Sequence, residues 1–418
     1  MNEIVSDSAP TISQNTSYRA ALFVLTSLFF LWGFITSLND ILIPYLKGLF
    51  DLSYFQAQAV NLCFFGAYAV ISYPAGFLVR RTSFQSGIII GLITAGCGCL
   101  LFLPAAHFEV YGLFLFALFV LAAGITLLQV AANPFVTRLG SPEHASFRLN
   151  LTQAFNSLGT TLAPIFGGIL ILSAGLKSSH STADAIQFPY LIIFATLIAL
   201  AIAFFLIPLP KIAATHQHEH ESLVSPKLLH QRHLMLGVVA IFMYVGAEVA
   251  IGSFLVNFLN LPHIGNLAEH QAAHYVSYYW GGAMIGRFVG AFLMLKIKPF
   301  YLLTSNALIS GLLLIVTIFS DGMLAVWAVL AIGLFNSIMF PTIFSLAIHR
   351  LGTLTSQGSG LLCVAIVGGA IVPLIQGSIA DTFSLQQAFW VPVICYLYIA
   401  YYGWRGHRVP THVVHEPS

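Results

Sequence analysis

Residues 19–46 read RAALFVLTSLFFLWGFITSLNDILIPYL. The first half of this stretch is apolar on every side and shows no alternation of period two. It therefore reads as a helix meeting hydrocarbon, not as a barrel strand. A helix needs about 20 apolar residues to cross roughly 30 Å of hydrocarbon, and this stretch exceeds that. Runs of the same kind lie near 55–79, 84–104, 110–137, 148–173, 187–207, 233–259, 271–295, 300–319, 323–348, 356–379 and 386–404. The pattern predicts an all-α, polytopic membrane protein of about twelve transmembrane helices.

Composition leads to the same class. The chain has 418 residues, 58% of them hydrophobic and 7% charged, with a mean hydropathy of +0.89. A soluble domain carries roughly 25% charge, so a soluble enzyme, a nucleic-acid binder, a disordered chain and a disulfide scaffold are excluded. The formal net charge of +2 implies no special partner. The five cysteines, Cys63, Cys97, Cys99, Cys363 and Cys395, sit inside apolar runs and read as small core residues, neither disulfides nor metal ligands. The polar stretch 1–18 does not read as a signal peptide, because the span that follows is too long for its apolar region and lacks a small-residue cleavage site.

One substantial hydrophilic interruption, 208–232, divides the chain. The expected organisation is a cytoplasmic tail over 1–18, a six-helix bundle over 19–207, a cytoplasmic linker over 208–232, a second six-helix bundle over 233–404 and a cytoplasmic tail over 405–418. The linker carries His216, His218, His220 and His230, with His233 just beyond. An H-x-H-x-H run can suggest a metal tract, but no second ligand set lies nearby, so it reads as a solvated linker with no metal.

Charge asymmetry orients the chain. With the N-terminus inside, the cytoplasmic loops hold Arg19, Arg80, Arg81, Arg138, Arg148, Lys211, Lys227, Arg232, Lys296, Lys298, Arg350, Arg405 and Arg408, whereas the outer side holds Lys47 and Lys177. This bias places both termini in the cytoplasm.

The halves also repeat. Residues 31–46 (LWGFITSLNDILIPYL) align with 244–259 (YVGAEVAIGSFLVNFL), and 155–168 (FNSLGTTLAPIFGG) with 364–377 (VAIVGGAIVPLIQG). The tripeptide RLG at 138–140 recurs at 350–352. Similar offsets point to duplication, and two duplicated six-helix halves imply a transporter that rocks around a site between them.

Three formal charges lie well inside spans, Asp40, Glu248 and Arg287. Charge in the membrane is costly and marks a functional candidate. On a helical wheel Gly33, Thr36, Ser37, Asn39 and Asp40 share an arc of roughly 160°. An arc that wide needs water, a ligand or a partner helix. Burial in low dielectric favours the protonated form of a carboxylate, which suits Asp40 as a proton carrier; a structural carboxylate held by a neighbouring helix is the alternative.

The fourth span carries Thr126, Gln129, Asn133 and Thr137. The fifth carries Asn150, Gln153, Asn156, Ser157, Thr160 and Thr161, mostly on one face. Amides and hydroxyls donate and accept, so they match the alternating hydroxyls of a sugar without net charge; interhelical hydrogen bonding is the competing use. Glu248 is open to three roles: sugar binding, titration, or pairing with Arg287 as a structural charge. Trp280 could stack on a sugar ring or join Tyr278 and Tyr279 in an interfacial belt. In the tenth span Asn336 opens a mixed polar stripe with Phe340, Pro341, Thr342 and Ser345, and His349 falls near a solvated end. No P-loop, metal-ligand cluster or nucleophile elbow appears, so the chain is not expected to be an enzyme or to need a cofactor, and its energy must come from a gradient.

The segments LFFLWGFITSLNDILIPYLKGLF (28–50), AANPFVTRLG (131–140), FRLNLTQAFNSLGTTLAP (147–164), YVGAEVAIGSFLVNF (244–258), GRFVG (286–290) and FPTIFSLAIHRLG (340–352) resemble the fucose–galactose–glucose proton symporter family of the major facilitator superfamily. The resemblance covers both halves. It implies the major facilitator fold and a bacterial inner-membrane sugar:proton symporter working by alternating access. The family's proton-coupling aspartate falls on Asp40, its polar residue one turn earlier on Ser37 and its sugar-facing glutamine on Gln153. The fucose symporter has a glutamate where this chain has Gln129 and a glutamine where it has Glu248. This combination resembles the glucose/galactose and N-acetylglucosamine branch.

The expected function is import of a neutral hexose or N-acetylhexosamine with protons, by a monomer whose partners are sugar, proton and lipid and never nucleic acid. The expected proton-coupling residues are Asp40 and Glu248. The expected sugar contacts are Ser37, Asn39, Gln129, Asn133, Gln153, Asn156, Trp280 and Asn336. L-Fucose:proton symport and sodium coupling are the rivals; oxygens of Thr36, Ser37, Asn39 and Asp40 could serve a sodium ion.

Overall fold

In the computed structural model, residues 21–36, 50, 54–167, 184–207, 226–267 and 269–409 are described. Asp40, Ser37 and Asn39 therefore lie outside the described residues, as do 1–18, 410–418 and most of 208–232. Among the described residues the protein is built from helices with no strand. The principal helices are α1 (Ala21–Thr36), α2 (Tyr54–Arg81), α3 (Phe84–Phe108), α4 (Tyr111–Arg138), α5 (Ala145–Gly167), α6 (Asp184–Leu206), α7 (Arg232–Asn260), α8 (Glu269–Leu293), α9 (Pro299–Phe319), α10 (Gly322–Ala347), α11 (Gly352–Thr382) and α12 (Trp390–Tyr401). Eight of them are long and apolar enough to cross a membrane. The remainder include α5, diluted by its polar face, and α1, described only to Thr36.

In hydrocarbon each backbone N–H and C=O must be bonded within the chain, which helices achieve locally. Ends are closed by local devices. Ser83 caps α3 by accepting from the Ser86 amide at 3.0 Å. Arg148, 7% exposed, donates to the carbonyls of Thr137 at 2.6 Å, Ser141 at 2.9 Å and Val136 at 3.1 Å, closing the last turn of α4.

Helices α2, α3, α4 and α6 pack on one another, and α7, α9, α10, α11 and α12 form a second set with α8 against α10. The two sets meet where α2 crosses α11 and where α5 crosses α8 and α10. The internal repeat is visible in the backbone. Each RLG tripeptide ends in a glycine with positive φ, +91° at Gly140 and +54° at Gly352, and each leads through a 3₁₀ turn into the following helix. Among the described residues every Lys and Arg except Arg287 falls at one end of the bundle, called here the arginine-bearing end.

Two helices are broken where the sequence suggested continuity. In α10 the regular helix stops at Asn336 and resumes at Met339, and in α11 a 3₁₀ turn occupies Ala365–Val367. The first break has a clear cause. Pro341 lacks an N–H, so the carbonyl of Ser337 loses its donor one turn later. Cys97 is exposed on α3, unlike the buried Cys99, Cys363 and Cys395. A thiol facing lipid is as desolvated as one in the core.

Candidate functional site

Between the two sets of helices lies a cavity of about 160 Å³. A single water needs roughly 10–15 Å³ of such space, so the cavity holds on the order of ten water-sized groups. That is the scale of a monosaccharide. One wall comes from α1, α4 and α5 through Trp32, Gln129, Gln153 and Asn156; the other comes from α7, α8, α10 and α11, chiefly through Tyr244, Glu248, Arg287 and Phe340.

The first wall is uncharged. Glycines bring its helices together: a Cβ on Gly33 would collide with the Asn156 carbonyl, and one on Gly159 would collide with that of Phe30. Asn156 Nδ2 donates to the Phe29 carbonyl at 2.9 Å, which fixes its amide against α1. Gln129 Nε2 donates to the hydroxyl of Tyr68 on α2. Gln153 lines the cavity, and among the described residues its side chain has no hydrogen-bond partner. Trp32 offers an indole, packed on Phe29 with ring centroids 5.3 Å apart.

The second wall holds charge. Tyr244 donates to Glu248 Oε1 at 2.7 Å, and Arg287 Nη2 stands 3.7 Å from the same oxygen. Arg287 also donates through Nε to the Ser337 carbonyl at 3.0 Å and through Nη1 to Ser157 Oγ. Its guanidinium thus joins α7, α8 and α10 to α5 of the opposite wall. The three donors leave Arg287 in one position, as the rigid fork of arginine allows. Phe340 closes the wall with its ring 6.2 Å from that of Tyr244.

The cavity ends toward the arginine-bearing end, where the two sets touch. Arg138 donates to the Gly352 carbonyl and, at 2.8 Å, to Thr355 Oγ1. Ser146 and Ser345 hydroxyls are 2.6 Å apart, Asn150 Nδ2 donates to Thr342 Oγ1 at 3.2 Å, and Ser359 donates to the Val130 carbonyl at 2.9 Å. The last acceptor is again freed by a proline, since Pro134 cannot donate to it. Gly76 and Gly360 let α2 and α11 cross closely; a Cβ on either would fall within 2.8 Å of a backbone oxygen of the other helix.

Of the expected sugar contacts, Gln129, Gln153 and Asn156 line the cavity together with Glu248 and Arg287. Asn133, Asn336 and Trp280 lie elsewhere. Asn133 is fully buried one turn below Gln129. Asn336 is buried behind the second wall, its Nδ2 3.2 Å from the Tyr279 hydroxyl. Trp280 is 44% exposed and leans its edge toward Gly252 on α7. Tyr279 is fully buried, contrary to the belt position expected for it, while Tyr278 is 58% exposed. His349 is exposed at the arginine-bearing end, as its sequence position suggested. Trp32 and Tyr244 line the cavity without being among the expected sugar contacts; each stands one turn before a polar residue, Thr36 and Glu248, and that spacing is the available signal.

The family model of the Major Facilitator Superfamily matches residues 23–366. The chain belongs to this superfamily. It is 56% identical over 401 residues to a Brucella abortus protein named glucose/galactose transporter, covering 95% of this chain and 96% of that one. It is 36% identical to the Escherichia coli L-fucose-proton symporter, covering 92% and 93%. Among solved structures, FucP in the outward conformation superposes with a TM-score of 0.86 at 36% identity, covering 93% of this chain and 99% of that one. The fold is therefore that of a membrane transporter, and the cavity occupies the interface between its two halves.

Proposed function

We propose that the protein imports a neutral hexose or N-acetylhexosamine, of the glucose, galactose or N-acetylglucosamine kind, across a bacterial inner membrane by proton symport. The carrying observation is the uncharged wall of Gln129, Gln153 and Asn156, with Trp32 beside them and Phe340 across the interface. Amides donate and accept side by side, which matches a ring of hydroxyls. Aromatic faces take the apolar face of a sugar ring. The names of the relatives support both parts of the reading, glucose/galactose for the cargo and proton for the coupling ion.

In this reading the arginine-bearing end faces the cytoplasm, and so do both termini. The contacts around Arg138, Ser146 and Ser359 are the closed cytoplasmic gate. The halves 19–207 and 233–404, joined by the linker 208–232, rock around the site between them, as a monomer. Asp40 carries the proton, and Ser37 and Asn39 take part in sugar binding. The Glu248–Arg287 pair supplies a second polar anchor for sugar and a charge that responds to the proton.

Sugar counterflow in liposomes tests the reading. D-Glucose, D-galactose or N-acetylglucosamine should exchange across the membrane, and L-fucose should not. Exchange of L-fucose alone, or of no sugar in the panel, would contradict it.

A further inference from the structure

One turn below the cavity a second tier of polar residues repeats the first. Asn133 lies four residues after Gln129 on α4, Asn150 three residues before Gln153 on α5, and Ser345 four residues after Pro341 on α10. These spacings keep each pair on one helix face. Asn133 and Asn150 are both fully buried. Among the described residues neither amide atom of Asn133 has a hydrogen-bond partner, and Asn150 Oδ1 has none either. A buried amide without partners is destabilising, and buried polar groups are normally paired. In this conformation leucine, of similar size, would suit the position of Asn133 better. The amide therefore answers to a different conformation.

Two contacts from the opposite half reach this tier or the turn beside it. Ser359 of α11 reaches Val130, between Gln129 and Asn133, and Thr342 of α10 reaches Asn150 Nδ2. Alternating access, as proposed above, requires these contacts to part. We propose that Asn133 and Asn150 form a second station for the sugar on its way out, a site for a neutral polyhydroxylated molecule that exists only while the cytoplasmic gate is open. The inference rests on the sugar-transport reading above. The amides are uncharged and offer two acceptors and four N–H donors. They can take over hydroxyls one by one as these leave Gln129 and Gln153, so the cargo is not stripped of partners at once.

The test is Asn133→Leu in membrane vesicles of defined orientation, assayed by galactose counterflow. From the cytoplasmic face the half-saturating concentration should rise about tenfold, since each hydrogen bond lost is worth roughly a factor of two to ten. From the outer face it should stay within about twofold, because the closed gate hides Asn133. The melting temperature in detergent should not fall, as no hydrogen bond is lost in the closed form. Asn133→Ser keeps a donor and an acceptor and should restore most of the cytoplasmic-face affinity. A cytoplasmic-face value indistinguishable from wild type would overturn the station. So would equal weakening from both faces, or a variant that fails to fold, since either gives Asn133 a structural role. A wild type that exchanges no sugar, seen before any variant is made, would overturn the parent reading and this one with it.

Discussion

Arg287 donates from Nε to the carbonyl of Ser337 at 3.0 Å, and that carbonyl is the one Pro341 leaves without a donor. The break in α10 is therefore part of the site. It presents an acceptor that orients the guanidinium toward Glu248 on α7 and Ser157 on α5. Removing Arg287 would leave the Glu248 carboxyl with Tyr244 as its partner and strand a backbone carbonyl.

The first prediction follows from that arrangement. Arg287→Leu should destabilise the protein by about 3 kcal/mol, the low end for a buried pair because both side chains keep some exposure. Transport should fall with it. The double variant Glu248→Gln with Arg287→Leu removes both charges and should recover part of the stability, read as melting temperature in detergent. A double variant as unstable as the sum of the singles would show that the two do not act as a pair.

Gln129→Glu tests the uncharged wall. Gln129 bonds Tyr68 and is 5% exposed, so an ionised group there must be desolvated or neutralised. Binding of the native sugar should weaken roughly ten- to hundredfold, equivalent to about 1.4–2.8 kcal/mol. Titration calorimetry on the folded variant reads the change; an unaltered Kd would place Gln129 outside the binding site.

The sequence alone carries much of this architecture. Span limits follow from hydropathy because lipid imposes a length on each helix. The duplicated RLG turns needed their glycines, since both adopt positive φ. Depth and neighbours were not readable. Gln129 and Asn133 share a helical stripe, yet the first faces the cavity and the second is sealed beneath it. A wheel reports direction around an axis, whereas the seal is made by another helix. Asn336 shows the same limit, since its partner Tyr279 lies 57 residues away. The α10 break was hidden because Pro341 predicts a freed carbonyl but not that an arginine from α8 would take it.

Gly360→Val probes the gate. Its Cβ position lies 2.7 Å from the Ser72 carbonyl and close to Gly76, so a branched side chain cannot fit while α2 and α11 touch. The variant should favour the form open toward the arginine-bearing end. Cysteine labelling of a Ser146→Cys reporter by an impermeant maleimide, applied from the cytoplasmic face of inverted vesicles, should speed up severalfold in the Gly360→Val background. Unchanged labelling would mean the crossing does not gate the path.

Asp40→Asn separates coupling from binding. The neutral side chain cannot cycle a proton, so uphill accumulation should disappear while sugar counterflow, which needs no net proton movement, persists. If this variant still concentrates sugar, the coupling role moves elsewhere, with Glu248 the next carboxylate to test.

The central claim is that a proton gradient drives a neutral hexose through this cavity. The most direct measurement is the uptake of labelled D-galactose or D-glucose into proteoliposomes under an imposed inward pH gradient in sodium-free buffer. Accumulation above the external concentration that collapses on adding a protonophore, and is unchanged by sodium, is the predicted result. Accumulation that requires sodium and survives the protonophore would contradict it.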